Sequence, residues 1–547
     1  MVDAVWPPAP FDLAAIRFAE HDAWWSGDTG TLNQIYSGVG AQSAATHVVN
    51  GRPYRGGVLG SLSKMWIGQP IVEGEARTKM HIGLPAVLAR LSSALLFAEA
   101  PKIRYEKPED TQPHVEGAPV VKWVHPGQAR LDEIMGSDES HAELLKAGEY
   151  SAALGGAYLA VTWNAALRSH VRLRAYAHDC AIPEFQDGIL TGVTLWTEYQ
   201  QGGDIFRLLE RQDPGMVSFT LYKGGARVLG EIVPLSSLTE TKHLNALRTE
   251  GEVTAALQFP ELWNETVVVA TGVDLLAVVY FPNELPQTDW RKMGVLANLG
   301  RSDFAGNEEL FDKADQVWSS LMRDVENGGG RITAPESYLE SAGPGQGATL
   351  DLNRQVYSGI NAIGSAGDSL GSQLTISQFE IRAEAHLVII DAIKAEIANQ
   401  CGYSPSHLGL KNAGAAKTAT EVVADFTDSE LTRDKKALYV KPALAQLAKV
   451  ALAIDGVVFP NQGGALYDEL PDVEFAAVSQ VDPEKIARTV GLADVARAMS
   501  TRQRVKELHR DWEADQIDEE VTLILTELGM LAPALDPSAF TGGAPIA

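Results

Sequence analysis

The 547-residue sequence predicts an α+β protein, and three observations lead there. Strand-like segments at 158–163, 171–176, 189–199, 205–211 and 216–222 follow one another between Gly, Asp and Pro turns, with a further pair at 266–271 and 275–281. Strands that come in a run, instead of alternating with helices, point to an antiparallel sheet with its helices segregated. Long helical patterns lie elsewhere, and the clearest starts near Ser377. Its apolar residues Phe379, Ala383, Leu387, Ile390, Ile393 and Ile397 recur every three or four positions, which is one face of a helix. Composition is that of a globular chain, with 45% hydrophobic and 21% charged residues.

Taken in order, residues 1 to about 80 place aromatic residues, Trp24 and Trp25 among them, between Gly-rich turns such as Arg55-Gly56-Gly57. A helix follows with Pro85 in its first turn, where a missing amide costs nothing. Leu84, Leu88, Leu91 and Leu95 form its apolar stripe, and Ala100-Pro101 lies beyond its end. A helix at about 139–153 leads into the run of strands. Asn307 then offers an N-cap, with Glu308 and Glu309 placed favourably against the helix dipole. Phe311, Ala314, Trp318, Leu321 and Val325 continue that helix up to Gly328-Gly329-Gly330.

A Gly-, Ser- and Ala-rich insert at 331–375 separates this helix from the one near Ser377, so the pattern reads as a stalk with a tip. Gly402 sits where a left-handed C-cap residue belongs. The polar loop 403–417, YSPSHLGLKNAGAAK, follows, and Thr418 with Glu421 forms a capping box that restarts a helix. Pro442 should kink or interrupt that helix. A β-like stretch is expected around 457–475. A helical region at about 483–529 follows, opened by Asp482-Pro483 and carrying a second capping box at Ser500 and Gln503. The Pro-, Gly- and Ala-rich residues 532–547 are expected to be disordered.

Cys180 and Cys401 are too few for a disulfide scaffold and fit a reducing compartment. The start, MVDAVWPPAPFD, lacks the basic and apolar regions of a signal peptide. No uninterrupted apolar run reaches the roughly 18 residues of a membrane span. A soluble chain with no membrane partner is therefore expected. The formal charge of −26 disfavours tight nonspecific nucleic-acid binding, which needs many cation–phosphate contacts. It fits a protein with no DNA partner, and also a channel wall past which DNA must slide without sticking.

Three strings invite an enzymatic reading. Gly367-Asp368-Ser369-Leu370-Gly371 matches the G-x-S-x-G elbow and the GDSL word of SGNH hydrolases, so a hydrolase using Ser369 is an alternative. An elbow needs a preceding strand and a following helix, whereas these flanks read as a flexible loop. The chain's only D-x-x-H, Asp138 with His141, lies upstream. The 409–418 string has two alanines between Gly414 and Lys417, where a phosphate-binding loop needs Lys directly after the Gly. Gly343-Pro344-Gly345-Gln346-Gly347 has no Lys at all and reads as a turn. Neither a zinc motif nor the ordered acids of an EF-hand is present, so no metal or cofactor is expected. The acids between Asp511 and Glu520 read as a solvated helix face. The basic groups Arg168/Arg172/Arg174, Arg433/Lys435/Lys436 and Arg502/Arg504/Lys506 read as surface faces or inter-subunit ion pairs.

The stretch QFEIRAEAHLVIIDAIKAEIANQCGYSPSHLGL, then TATEV, then SELTRDKKALYVKPAL, carries four elements in order. These are a helix, a G-Y-S-P-x-x-x-G-L loop (Gly402 to Pro405, then Gly409-Leu410), T-A-T-E-V at 418–422, and T-R-x-K at 432–435. This region resembles the portal proteins of tailed bacteriophages, and the stretch HIGLPAVLARLSSALLFAEAP is similar to the N-terminal part of actinobacteriophage portals. Val505, His509 and Trp512, with the acidic helix after them, are also portal-like. The resemblance implies a portal fold: wing 1–304, stem helix 305–327, clip 328–376, stem helix 377–402, tunnel loop 403–417 and long wing helix 418–454. A wing β segment 455–482, crown helices 483–530 and a disordered tail 531–547 complete it.

It further implies a homo-dodecameric, head-to-tail ring at one capsid vertex of the virion, assembled in the host bacterial cytoplasm. Double-stranded DNA would pass through the channel during packaging and ejection. The terminase large subunit, the major capsid and scaffolding proteins and the head–tail adaptor protein would be partners. Such a protein has no active site of its own. His407, Lys411, Asn412 and Lys417 would be the DNA-contacting residues of the tunnel loop. A capsid-associated structural protein without a channel is a further alternative.

Overall fold

The computed structural model describes residues 5–35, 79–105, 125–247, 266–327, 381–410, 419–475, 483–496, 498–509, 512 and 514–529, with short strand pieces at 48–49, 52–53, 331–333, 340–341, 348–349 and 375–377. It is an α+β structure. Helix α1 (Phe11–Ser26) buries Phe11, Phe18 and Trp24 and ends at Gly27 in the left-handed region. The sequence marked this segment only by its aromatic residues. Helix α2 (Leu84–Phe97) carries Pro in its first turn, as expected. Strand β1 (Lys102–Arg104), helix α3 (Gln128–Met135) and helix α4 (Asp138–Leu154) lead into the sheets. Ser137 caps α4 by accepting from the Ser140 amide.

The strands that follow are β2 (Gly156–Thr162), β3 (Arg172–Ala177), β4 (Ala181–Gln186), β5 (Ile189–Gln201), β6 (Asp204–Asp213), β7 (Met216–Gly225), β8 (Val228–Val233), β9 (Thr266–Ala270) and β10 (Val278–Pro282). Every pairing is antiparallel. One sheet runs β8-β7-β6-β5-β4, with β9 laid along the other half of β7, and a second runs β10-β2-β3. The sequence reading missed β4 and β8. Pro183 sits inside β4, which is an edge strand where a missing donor is tolerated.

Helix α5 (Glu308–Asn327) and helix α6 (Ala383–Gln400) pack against each other, and Asp324 of α5 meets Arg382 at 3.2 Å and His386 at 3.1 Å. At the base of the intervening insert, Arg331–Thr333 pairs with Thr375–Ser377. The residues just before α6 are therefore strand where a helical start near Ser377 was expected. A strap at 79–82 lies along α5: Lys79 pairs with Asp312, the Met80 amide donates to Ser319 Oγ, and Asp315 holds both the His81 ring and the Ile82 amide.

Helix α7 (Ala419–Val458) runs unbroken through Pro442, contrary to the expected interruption. Pro442 and Leu438, whose carbonyl loses its partner there, both lie on the exposed face where water can replace the missing bond. On the opposite face Val440, Leu444, Leu447, Val450, Leu452 and Ile454 anchor the main core against α2, α3 and the β10-β2-β3 sheet. The segment Thr427–Val458 is long and apolar enough to cross a membrane by length and composition, but its apolar side is this core.

The β-like stretch after α7 shrinks to β11 (Asp472–Glu474), paired with β1, because the helix extends to Val458. Helices α8 (Pro483–Val495), α9 (Thr501–Leu508) and α10 (Ala514–Glu527) close the described chain, and Ser500 caps α9 from the Gln503 amide, as read. A buried ion pair joins α3 to α7: Arg130 grips Asp455 at 2.7 and 3.0 Å, and the Val171 amide also donates to that carboxylate.

Candidate functional site

The motifs singled out in the sequence meet in space where α6 ends and α7 passes. Gly402 has φ of +74°. Its amide donates to Asn399 O at 3.0 Å and the next amide, of Tyr403, to Ala398 O at 2.8 Å, which is a Schellman termination. A Cβ at Gly402 would stand 2.5 Å from Thr432 Oγ1. Glycine is therefore demanded twice, by the backbone angle and by the approach of α7. Thr432 Oγ1 donates to Gly402 O at 2.6 Å, and Ser429 Oγ accepts from the Ser404 amide at 2.9 Å. Residues Pro405–Leu408 form a 3-10 turn that ends at Gly409, again left-handed.

Ser429, Thr432 and Lys436 stand three and four residues apart, so one face of α7 presents all three to the turn. Lys436 reaches deepest. Its ammonium lies 2.7 and 2.9 Å from the two carboxylate oxygens of Asp303, 2.8 Å from Tyr403 Oη and 2.7 Å from Ser92 Oγ. Tyr403 donates to Asp303 Oδ2 at 2.7 Å, and Asn283 Nδ2 donates to Asp303 Oδ1 at 2.7 Å. The side chains of Lys436 and Asp303 are 7% and 4% exposed, so this ion pair is buried and its remaining bonds are filled. Tyr403 is itself buried in a core cluster with Trp24, Phe304, Phe311 and Ile397.

Lys, Tyr and Ser in contact could serve proton-transfer chemistry, but here the electrostatics oppose it. Burial, and then the negative Asp303, push the Tyr403 phenol well above its ordinary pKa. A phenol so held does not give up its proton near neutral pH. The arrangement acts as a fastening between four parts of the chain. On its solvent side lies a polar cleft of about 400 Å³ lined by Glu284, Arg301, Asn399, Cys401 and Lys435 among others. Burial works against charge on Glu284, yet Lys435 and Arg301 beside it outweigh that and hold its pKa below the usual glutamate value.

His407 was assigned by resemblance to the DNA-contacting set. Its Nδ1 lies 2.8 Å from Ser429 Oγ, and burial lowers its pKa against the opposing pull of Glu430. The ring therefore faces α7 and is held toward the neutral form. Lys411, Asn412 and Lys417 lie outside the described residues, as do Thr418 and the GDSL string with Ser369. His141, of the upstream D-x-x-H, is spent on Phe97 O at 2.6 Å. Among the described residues no group of three or more His, Cys, Asp or Glu side chains is arranged to hold a metal ion.

Of the basic groups, Arg168 and Arg172 pair with Glu139 and Arg502 with Asp518, as surface ion pairs. Lys436 departs from that reading because it is buried. Its signal was available as Ser429, Thr432 and Lys436 in a polar row on a helix otherwise built for a core. Asp303 and Ser92 carried no local signal.

No family model matches the chain, and no curated protein matches it. Among solved structures it is similar to a chain in the neck of a native gene transfer agent (GTA) particle computed with C12 symmetry. The identity is 13%, covering 87% of this chain and 98% of that one, with a TM-score of 0.38. A chain in the neck of an empty GTA particle computed with C6 symmetry gives 13%, 86% and 97% with a TM-score of 0.37. One from the virion of a native GTA particle gives 14%, 86% and 97% with a TM-score of 0.37. TM-scores below 0.5 are too low for these likenesses to indicate what the chain does.

Proposed function

We propose that the chain is a portal subunit of a tailed bacteriophage: a non-enzymatic protein that closes into a dodecameric ring at one capsid vertex. Double-stranded DNA passes through the ring during packaging and ejection. The terminase large subunit docks on it first and the head–tail adaptor protein later, and the major capsid and scaffolding proteins surround it. One observation carries the reading. The ordered motifs of the resemblance, G-Y-S-P and T-R-x-K, contact each other through Gly402 with Thr432, and through the adjoining Tyr403 with Lys436, at the end of a two-helix stalk.

That stalk also needs a partner. Leu387, Val388 and Ile389 on α6 are 47%, 69% and 49% exposed, and Val325 on α5 is 50% exposed. Contiguous apolar side chains left in water mark a contact surface, and a head-to-tail ring supplies one from the next subunit. In this reading Lys411, Asn412 and Lys417 touch the DNA backbone, and His407 supports the loop from behind. Electron microscopy of the purified protein tests the proposal. Rings with a central bore are expected, and a monodisperse monomer at every protein and salt concentration sinks it.

A further inference from the structure

Both helices of the α5/α6 pair are rooted at one cation. Asp303 stands five residues before α5 begins, Tyr403 stands three residues after α6 ends, and Lys436 of α7 binds both. Ser92 of α2 adds the body of the protein to the same ammonium. Around it the turn 302–307 is tied to the same place. Asp303 N donates to Ala152 O at 3.0 Å, Ser302 Oγ to Ala153 O at 2.6 Å, and Cys401 Sγ to Asp303 O at 3.3 Å.

We propose that Lys436 is a positioning residue that sets how the α5/α6 pair is seated on the body, with 402–410 and α7 joined to it as one rigid unit. The argument is one of substitution energetics. A buried ammonium with four filled contacts fixes the relative places of its partners, because each displaced partner would leave an unpaired polar group behind. Thr432 and Ser429 repeat the fastening one and two turns away with single neutral hydrogen bonds, which are weaker. The strap at 79–82 holds α5 further along, so losing Lys436 loosens the roots without detaching the pair. Bending of the stalk relative to the body must then pass through this joint. Its consequence for a channel rests on the portal reading. The joint itself does not.

Cys401 gives a direct readout, since its thiol is buried at the joint while Cys180, the other cysteine, lies by the sheets. The full chain is treated with a thiol-alkylating reagent, and each cysteine is followed separately by peptide mass spectrometry. Lys436→Met is expected to speed modification of Cys401 about tenfold, the factor for one charge-assisted hydrogen bond, with Cys180 unchanged. Tyr403→Phe, which keeps the ring, should give a smaller acceleration at the same site.

Because Lys436→Met also strands a buried carboxylate, the double variant Lys436→Met/Asp303→Leu is included. It is expected to recover the denaturation midpoint while Cys401 stays fast. Equal acceleration of both cysteines, an unchanged Cys401 rate, or a double variant whose Cys401 returns to the wild-type rate overturns the proposal. These rates are read whether or not rings form, so failure of the joint and failure of the portal reading are told apart.

Discussion

Helices α6 and α7 carry similar apolar sequences and meet opposite fates. Leu444, Leu447, Val450 and Ile454 of α7 are fully buried, whereas Leu387, Val388 and Ile389 of α6 are about half exposed or more. The difference comes from what surrounds each helix. The second half of α7 is enclosed by α2, α3 and a sheet, while α6 is covered along its length mainly by α5. The lesson is that an apolar stripe states a demand for burial without saying whether the same chain meets it. For α7 the demand is met within the subunit, and for α6 a neighbour is required.

The comparison breaks most sharply at matched leucines. Leu447→Ala should cost about 2–5 kcal/mol in chemical denaturation, the usual range for emptying a packed core site. Leu387→Ala should stay within about 0.5 kcal/mol of wild type when dissociated subunits are compared. A large loss at Leu387 would mean that α6 is already packed in the subunit. Placing a charge sharpens the point: Val388→Asp should leave the subunit folded by circular dichroism yet abolish ring formation in size-exclusion chromatography with light scattering. Normal rings from that variant would remove this face from the interface.

The next effect concerns pH and lies in the body, where burial is complete. His178 is fully buried, and burial lowers its pKa to about 4, against an ordinary 6.5. The unfolded chain therefore binds the extra proton first. Stability contributed by neutral His178 is intact above about pH 6.5 and is lost as pH falls toward 4, by about 3 kcal/mol in all. Its neighbour Asp179 works the other way, because burial raises its pKa to about 6 and the folded state takes up that proton first. The clean test is the difference between wild type and His178→Asn: the wild type should lose more stability from pH 6.5 to 4.5. Parallel pH profiles would show that His178 is not held neutral.

The smallest effect is expected at the loop. Lys411→Ala with Lys417→Ala should preserve rings and lower DNA retention, more so as salt rises, since few phosphate contacts are lost and those are screened. Unchanged retention across a salt series would make both lysines ordinary surface charges.

Sequence by itself determined the α+β class, the run of antiparallel strands, the limits of α5, the Gly402 termination and the cap at Ser500. All of these rest on interactions within a few residues: periodicity, a capping hydroxyl, a left-handed glycine. Tertiary structure decided the rest. Helix α1 gave only its aromatic residues as a sign because its burial is set by α2 and α4. Pro442 failed to break α7 because one face is clamped in the core while the other is open to water. Lys436 looked like a surface charge because its partners lie 344, 133 and 33 residues away, at Ser92, Asp303 and Tyr403. No local pattern can report partners that only the folded chain brings within hydrogen-bonding distance.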